Sequence, residues 1–455
     1  MNYENTRRNI THLRQLMIAL FLGFLLIALA LTFWSVLRAK AILARDDNPR
    51  LVETELRIKR GAIVDRSGVV LAQNGGTAAR QQRQYPIPTI GPAVGYYSFR
   101  HGTAGVEESY DAVLRGDGAS FWLAAWRETL HRPQQGQAVQ LTLDATIQQQ
   151  ADDLLADYTG ALLLLELDQV NAVAPIRALV SHPGYDPNLL DEQFDVLTAD
   201  ESAPLLNRVT QGQYQPGLIL QPFLLASALD AGALQWDGVV DNANRPVPLN
   251  GTVQRCAERP PDIVTWADVL TYRCPGPMQD LGTSLDTAVL SQVFADWGFT
   301  QQPLLPLNTE TPTQEALADA ALAVIGQDTL TVTPLQVAAA LAALVDDGRF
   351  PILQLVTAVQ DEAGEWVAEE AARDGEATAV SANAARDIRR ALPTENGIAE
   401  HRVLVLSGPE GSSNGWYLAL YPAALPRYIL VVVVENSEGL ETAVGIGRAL
   451  LSQLP

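Results

Sequence analysis

The stretch Gly160-Ala161-Leu162-Leu163-Leu164-Leu165-Glu166-Leu167 is almost entirely apolar. Such a run is typical of a β-strand that other layers of the protein cover on both faces. A second run of this kind occupies residues 428–435, near the other end of the chain. Because helical patterns fill the sequence between the two runs, we expect an α+β domain whose sheet is built from both of its ends.

Two of the expected helices have clear start signals. Asp144 precedes a helical pattern over residues 145–156, where its carboxylate can accept hydrogen bonds from the free N–H groups of the first turn. Thr333 precedes a more apolar pattern over residues 334–344, which begins with a proline. Proline suits the first turn of a helix because an N–H group there has no helical partner.

Length and charge limit the classes of protein that need to be considered. The chain has 455 residues, room for two or three domains, and its 47% hydrophobic composition supplies enough core for each of them. It carries 31 lysines and arginines against 52 acidic residues, a formal net charge of −21. Such a surface repels phosphate groups, so neither nucleic acid nor anionic lipid is expected as a partner.

Residues 15–37 form an uncharged apolar stretch between Arg14 and Arg38. A helix of about 20 apolar residues is long enough to cross the hydrocarbon core of a membrane. The stretch is longer than the apolar part of a signal peptide, and no small-x-small cleavage site follows it, so we expect an uncleaved anchor. A buried core helix is the alternative. Basic residues flank both ends, which leaves the orientation open on charge alone.

A turn between the two apolar runs is unusual in its residue types. It reads Tyr214-Gln215-Pro216-Gly217-Leu218-Ile219-Leu220-Gln221-Pro222. The proline and glycine indicate a loop, and the second proline indicates the first turn of a helix. Lysine is also rare in this chain, since only Lys40 and Lys59 are present. Any chemistry that requires a lysine beyond residue 59 is therefore excluded.

Many segments resemble the motifs of class B penicillin-binding proteins, in the order of that family. One of them reads Ser181-His182-Pro183-Gly184-Tyr185-Asp186-Pro187-Asn188, and the others cover residues 60–72, 95–98, 105–116, 141–148, 204–208, 326–338 and 416–422. The resemblance implies a cytoplasmic tail (1–14), an anchor (15–37), a β-rich membrane-proximal, dimerisation-like module (38–135) and a transpeptidase-like domain (136–455). It also implies that helices flank an antiparallel sheet in the last domain.

The turn quoted above resembles the S-x-x-K motif of that family, in which a lysine activates an attacking serine one helical turn away. In this chain Leu218 takes the serine position and Gln221 takes the lysine position. Leucine has no lone pair with which to attack a carbonyl group, and an amide is not a base near neutral pH. The alternative is that the apolar residues simply bury the start of a helix.

The second family motif, S-x-N, resembles the segment around Cys274. Arg273 takes the serine position and Pro275 the asparagine position. Ser284-Leu285-Asp286 is a rival placement, but it leaves the run to Trp297 too short. We expect Arg273 either to bind an acidic group in the cleft or to be solvated.

The third family motif, K-T-G, resembles Leu406-Ser407-Gly408, in which leucine replaces the lysine. In the family this segment lies on an edge strand and binds the substrate carboxylate. The residue after the glycine supplies one N–H of the oxyanion hole. Here that residue is Pro409, which has no N–H.

Cys256 and Cys274 are the two cysteines of the chain. They could pair in an oxidising compartment or remain as two buried thiols, and the sequence leaves both alternatives open. The five histidines are scattered and no C-x-x-C motif is present, so neither a metal site nor a cofactor is expected.

The resemblance, combined with the altered motif residues, predicts a pseudoenzyme of the bacterial cell envelope with no catalytic residues. We expect a membrane-anchored scaffold or regulator of peptidoglycan synthesis or division, with the large domain outside the cytoplasmic membrane. Its expected partners are envelope-synthesis or division membrane proteins, including a polytopic glycan polymerase, and peptidoglycan stem peptides. The alternatives are an active D,D-transpeptidase with non-standard catalytic residues and a non-covalent sensor of muropeptides or β-lactams.

Overall fold

A computed structural model of the chain describes residues 3–34, 55–77, 80–118, 130, 133–249, 251–310, 315–370, 377–407 and 412–454. Its first element is helix α1, Tyr3–Thr32. Residues 12–32 of this helix are long and apolar enough to cross a membrane, and the other residues that the structure describes bury none of that span. Within the predicted anchor over residues 15–37, the part up to residue 32 therefore lies on helix α1.

The large domain is built on a seven-stranded sheet in which the two apolar runs lie side by side. Strand β7 (Gly160–Glu166) pairs antiparallel with strand β19 (Tyr428–Val434) over their full lengths. The prediction of one sheet made from both ends of an α+β domain is confirmed. The other strands of this sheet are β8 (Val173–His182), β13 (Ile352–Gln354), β16 (Thr394–Glu395), β17 (Ile398–Leu406) and β18 (Ser413–Tyr421).

The strand order is β13-β8-β7-β19-β18-β17-β16. The sheet departs from the expected antiparallel pattern at one side, where β13 runs parallel to β8. Two parallel neighbouring strands need a long connection, and several helices of the domain lie in the sequence between β8 and β13. At the opposite side, β16 pairs only with the first residues of β17.

Both faces of the sheet are buried because its side chains alternate between two apolar clusters. Leu163 and Val431 belong to the larger cluster, together with helix α12 (Pro334–Val345). Leu162 and Val432 belong to the smaller cluster, together with helices α5 (Ala145–Leu155) and α14 (Glu441–Leu451). The start signals at Asp144 and Thr333 are confirmed, since both side chains accept hydrogen bonds from the first turn of their helices.

A six-stranded sheet joins the membrane-proximal module to the large domain, with the order β15-β14-β6-β1-β2-β3. Strand β6 (Val139–Leu141) lies between strand β1 of the module and strand β14 of the large domain. The domain boundary at residue 135 remains a prediction, but the segment that follows it enters a shared sheet. The other strands are β1 (Ile63–Val64), β2 (Val70–Thr77), β3 (Arg80–Gln84), β14 (Val356–Gln360) and β15 (Trp366–Ala368).

The remaining elements are short helices and hairpins around the two sheets. The helices are α2 (Gly91–Val94), α3 (Val106–Ser109), α4 (Asp111–Arg115), α6 (Leu190–Ala199), α7 (Gln221–Asp230), α8 (Trp266–Thr271), α9 (Pro275–Thr283), α10 (Thr287–Asp296), α11 (Ala320–Ala323) and α13 (Ala382–Ala391). The strands are β4 (Gly95–Ser98), β5 (Gly102–Gly105), β9 (Val239–Val240), β10 (Val247–Leu249), β11 (Thr252–Gln254) and β12 (Val264–Thr265).

Two glycines bring the turn before α7 against the loop before α12. Gly217 donates a backbone hydrogen bond to the carbonyl oxygen of Gly326 at 3.1 Å, and both residues have positive φ angles. A Cβ atom on Gly326 would lie 2.2 Å from the nitrogen of Gly217, far inside van der Waals contact. Glycine is therefore required at position 326 for two reasons, the backbone angle and the close approach.

We predict that Gly326→Ala destabilises the large domain much more than Gly364→Ala. Gly364 also has a positive φ angle, but a Cβ atom there meets nothing within 4 Å. The control should therefore lose only about 1 kcal/mol of unfolding free energy from backbone strain. Gly326→Ala should lose at least about 3 kcal/mol, because a backbone clash is added to the strain. Denaturant unfolding of the full chain in detergent measures both, and equal losses would contradict this account.

Candidate functional site

The residues of the predicted S-x-x-K motif lie on a short 3-10 turn, Gly217–Leu220, that leads into helix α7. Leu218 is 7% exposed, whereas Ile219, Leu220 and Gln221 are completely buried. Pro222 lies in the first turn of α7, where its missing N–H is tolerated. The turn therefore presents a nearly buried leucine at the position where the family has its serine. The assignment of Leu218 and Gln221 to this motif remains a prediction.

The amide of Gln221 is fixed by the neighbouring helix. Its Nε2 donates a hydrogen bond to the carbonyl oxygen of Val269 in α8 at 3.0 Å. Its Oε1 is buried without a hydrogen-bond partner among the residues that the structure covers. Gln221 thus connects the start of α7 to α8 and supplies no basic nitrogen to the turn.

His401 lies directly against the turn and is 2% exposed. Its Nε2 is 2.9 Å from the carbonyl oxygen of Leu218. A carbonyl oxygen only accepts hydrogen bonds, so Nε2 carries the proton of the neutral ring and Nδ1 does not. Burial, and secondarily the positive charge of Arg273, lower the pKa of His401 to about 4. The ring is therefore neutral at physiological pH and acts as a donor to the backbone.

Arg273 is also buried, with 4% of its surface exposed. Its Nη2 donates to Oε1 of Glu258 at 2.6 Å, and its Nη1 donates to the carbonyl oxygen of Thr271 at 3.1 Å. Of the two alternatives for this residue, the structure favours contact with an acidic group, which the chain itself supplies. The following residue, Cys274, forms a disulfide bond with Cys256. Pro275 is the first residue of α9 and is buried.

The rival placement of the second motif lies between two helices. Ser284 ends α9, and Asp286 caps the start of α10 by accepting a hydrogen bond from the N–H of Ala288. Both residues therefore belong to the connection between the two helices, where each of them caps a helix end. We therefore retain the placement at residues 273–275, still as a prediction.

The predicted K-T-G segment begins at the end of β17. Leu406 is half-buried, and its carbonyl oxygen accepts a hydrogen bond from Nε2 of Gln327 at 3.4 Å. The hydroxyl of Ser407 donates to Oδ1 of Asn414 on the adjacent strand at 3.3 Å. Gly408 and Pro409 lie outside the described residues. Val405, one residue before Leu406, packs directly over Gly217, so this end of β17 borders the turn.

Sequence reasoning treated the histidines as scattered and missed the place of His401. Residues 401, 403 and 405 share one face of β17, because side chains alternate along a strand. Val405 contacts Gly217 and His401 contacts Leu218, so this face packs on the turn. The period of two, counted back from Val405, was the signal that could have placed His401 on this face. Among the described residues, no three His, Cys, Asp or Glu side chains are grouped so as to hold a metal ion.

Comparison with known proteins gives consistent matches. Residues 174–401 match the family model described as penicillin binding protein transpeptidase domain, and residues 60–139 match the penicillin binding protein A dimerisation domain. The peptidoglycan D,D-transpeptidase PbpA of Mycolicibacterium smegmatis is 27% identical over 97% of this chain and 98% of its own length. MrdA of Escherichia coli, also named a peptidoglycan D,D-transpeptidase, is 28% identical over 65% of this chain and 48% of its own length.

A solved structure gives the same result for the fold. Penicillin-binding protein A from M. tuberculosis, in its imipenem acyl-enzyme complex, superposes with a TM-score of 0.77 at 25% identity. The superposition covers 88% of this chain and 99% of that one.

These comparisons correct one expectation. The prediction that the chain is not an enzyme is wrong, because it is similar over almost its whole length to a protein named as a peptidoglycan D,D-transpeptidase. The M. tuberculosis structure of the same fold is an acyl-enzyme complex, so the similar proteins form a family of enzymes. The prediction rested on the residue types at the three motif positions alone.

We predict that acid destabilises the fold through His401. The pKa is about 4 in the folded chain against an ordinary value of 6.5, so the unfolded chain binds more protons between these values. The stabilisation is therefore complete above pH 6.5 and is lost as the pH falls towards 4, by about 3 kcal/mol in all. His401→Gln keeps a donor for Leu218 but does not titrate.

Denaturant unfolding at several pH values measures this difference. The unfolding free energy of wild type should fall relative to that of His401→Gln between pH 6.5 and pH 4. Leu404→Gln is the matched control, because Leu404 is an exposed residue of the same strand and its replacement removes no titrating group. It should follow the wild-type pH dependence. Parallel curves for wild type and His401→Gln would contradict the assignment of a neutral, buried imidazole.

Proposed function

This chain belongs to the class B penicillin-binding proteins, and we propose that it acts in peptidoglycan synthesis or division as a scaffold or regulator. The observation that carries the proposal is the nearly buried turn at residues 217–220, where Leu218 takes the place expected for the family's serine. Leucine at this place packs against its neighbours and carries no attacking hydroxyl, which favours a binding role for the domain.

We place the protein in the bacterial cytoplasmic membrane, with one crossing and the large domain on the outer side. The support is helix α1, whose large apolar residues from Leu13 to Leu31 are exposed to the surroundings of the chain. Exposed leucine, isoleucine and phenylalanine side chains over this length are stable in lipid but not in water.

The proposed partners are membrane proteins of envelope synthesis or division, including a polytopic glycan polymerase, and the stem peptides of peptidoglycan. A partner in the same membrane would contact α1 and the membrane-proximal module, which shares its sheet with the large domain. Contact at the module is therefore transmitted to the large domain through strands β1, β6 and β14 rather than through a flexible linker.

Peptidoglycan D,D-transpeptidation is the second candidate, and the names of the similar proteins favour it. The side chain of Leu218 cannot attack a carbonyl group, so the reaction would need another attacking group. Among the residues of the predicted motifs, Ser407 carries a hydroxyl, and it directly follows strand β17, whose Val405 packs over Gly217.

We predict that the full chain, captured from bacterial membranes after cross-linking, retains an identified protein of peptidoglycan synthesis or division. Retention should require the folded large domain, so Gly326→Ala should lose the partner while the matched control Gly364→Ala keeps it. Mass spectrometry of the captured proteins measures the result. Capture of no such protein by wild type, or equal capture by both variants, would contradict the scaffold proposal.

Labelled penicillin separates the two candidates, since acyl transfer in this family leaves a covalent adduct. A label that survives denaturation of the wild-type chain and disappears in Ser407→Ala would favour D,D-transpeptidation through that hydroxyl. A label that survives in Ser407→Ala would favour the reaction through a different group, which peptide mapping would identify. The scaffold proposal expects partner capture to be unchanged by Ser407→Ala.

A further inference from the structure

Two arginines from separate elements converge on one carboxylate beside the candidate site. Nη2 of Arg273, in the loop after α8, is 2.6 Å from Oε1 of Glu258. Nη2 of Arg402, on β17, is 3.7 Å from the same oxygen. The three residues lie in a turn, a strand and a segment without regular secondary structure. Their contact therefore comes from the packing of distant segments and not from the spacing of residues along one helix.

The burial of the two partners of the closer pair is very different. The side chain of Arg273 is 5% exposed, whereas that of Glu258 is 56% exposed. A buried guanidinium needs an anion, because an unpaired charge in the interior is strongly destabilising. The Nε of Arg273 is also buried without a hydrogen-bond partner in the part of the chain that the structure describes. The cation is therefore fixed in place and incompletely satisfied, while its anion is accessible from solvent.

The segment that carries Glu258 has no regular secondary structure from residue 255 to residue 263. Its fixed point is the disulfide bond between Cys256 and Cys274, which holds it next to Arg273. The side chain of Glu258 can therefore move away from Arg273 without the unfolding of a helix or a strand. Arg402 would keep an anionic neighbour on its other side, since its Nη1 is 3.5 Å from Oε1 of Glu400.

We propose that Arg273 and Arg402 form a carboxylate-binding site, and that Glu258 occupies it as an internal ligand which an incoming carboxylate displaces. The planar guanidinium of Arg273 offers a geometry that a carboxylate matches, and Nε and Nη2 together can bind both oxygens of an incoming group. The inference rests on the proposed binding role of this domain and adds the chemistry of the ligand.

A carboxylate can come from the C-terminus of a peptide or from an acidic side chain. Three probes distinguish these sources: an N-acetylated tripeptide of alanine with a free C-terminus, the same peptide with a C-terminal amide, and an amidated peptide with a central glutamate. Binding of the first probe alone assigns the site to peptide C-termini. Binding of the third as well assigns it to carboxylates in general. The amidated alanine peptide should not bind.

We predict that Glu258→Gln binds the carboxylate probes about tenfold more tightly than wild type, because it removes an internal competitor that is bound most of the time. The matched control is Asp262→Asn, which removes one negative charge from an exposed residue a few positions further along. It should bind like wild type. Calorimetry on the purified full chain in detergent, at low salt, measures the dissociation constants.

Two further measurements keep the test decisive if Glu258→Gln folds poorly. The carboxylate probes should raise the melting temperature of Glu258→Gln more than that of wild type, since they restore an anion to Arg273. Arg402→Gln, a change at a half-buried residue, should weaken binding about fivefold or more in both backgrounds. Equal affinities for wild type, Glu258→Gln and Arg402→Gln would overturn the proposal. Partner capture from membranes is a separate readout, so a failure here does not decide the scaffold role.

Discussion

The contact between the turn at Gly217 and its neighbours is the constraint on which the site depends. Gly326 lies against the backbone of Gly217 on one side, and Val405 of strand β17 packs over it on the other. Neither approach leaves room for a Cβ atom, so the position of the turn depends on two close contacts that glycine allows, one with backbone and one with the side chain of Val405. His401 then reaches the carbonyl oxygen of Leu218 from the same strand face. The site is therefore held by the sheet, and a shift of β17 would move all of its parts together.

The sequence allowed the large sheet to be predicted because its central strands are apolar without interruption. Strands β7 and β19 are buried on both faces, so their sequences do not alternate between polar and apolar residues as those of half-exposed strands do. The resulting uninterrupted apolar runs are easy to recognise. The parallel pair of β13 with β8 was not predicted, because β13 has three half-buried residues and no such pattern. Pairing over this distance depends on tertiary packing, which local sequence does not encode.

The backbone conformation of the candidate site, a turn that leads into a helix, could be predicted from the sequence. The contacts between its side chains could not. The prolines and the glycine around Leu218 indicated a turn that leads into a helix, and the structure has both. Leu218, the partner of His401, and Glu258, the acidic partner of Arg273, both lie more than ten residues from them, and Glu258 belongs to no motif. Ion pairs between distant segments follow from how the elements pack, so they become visible only when the fold is known.

The fold of this protein and the side chains at its candidate site have to be considered separately. The similarity to PbpA covers nearly the whole chain at 27% identity, so the fold is common to both proteins. The fold determines where a ligand can bind to the domain, but a few side chains decide the chemistry of that binding site. Here those side chains include a neutral histidine, a buried arginine and a solvent-accessible glutamate that neutralises it. An arginine buried at this depth persists only with an anion beside it, so any ligand that reaches the cleft has to compete with Glu258 for that charge.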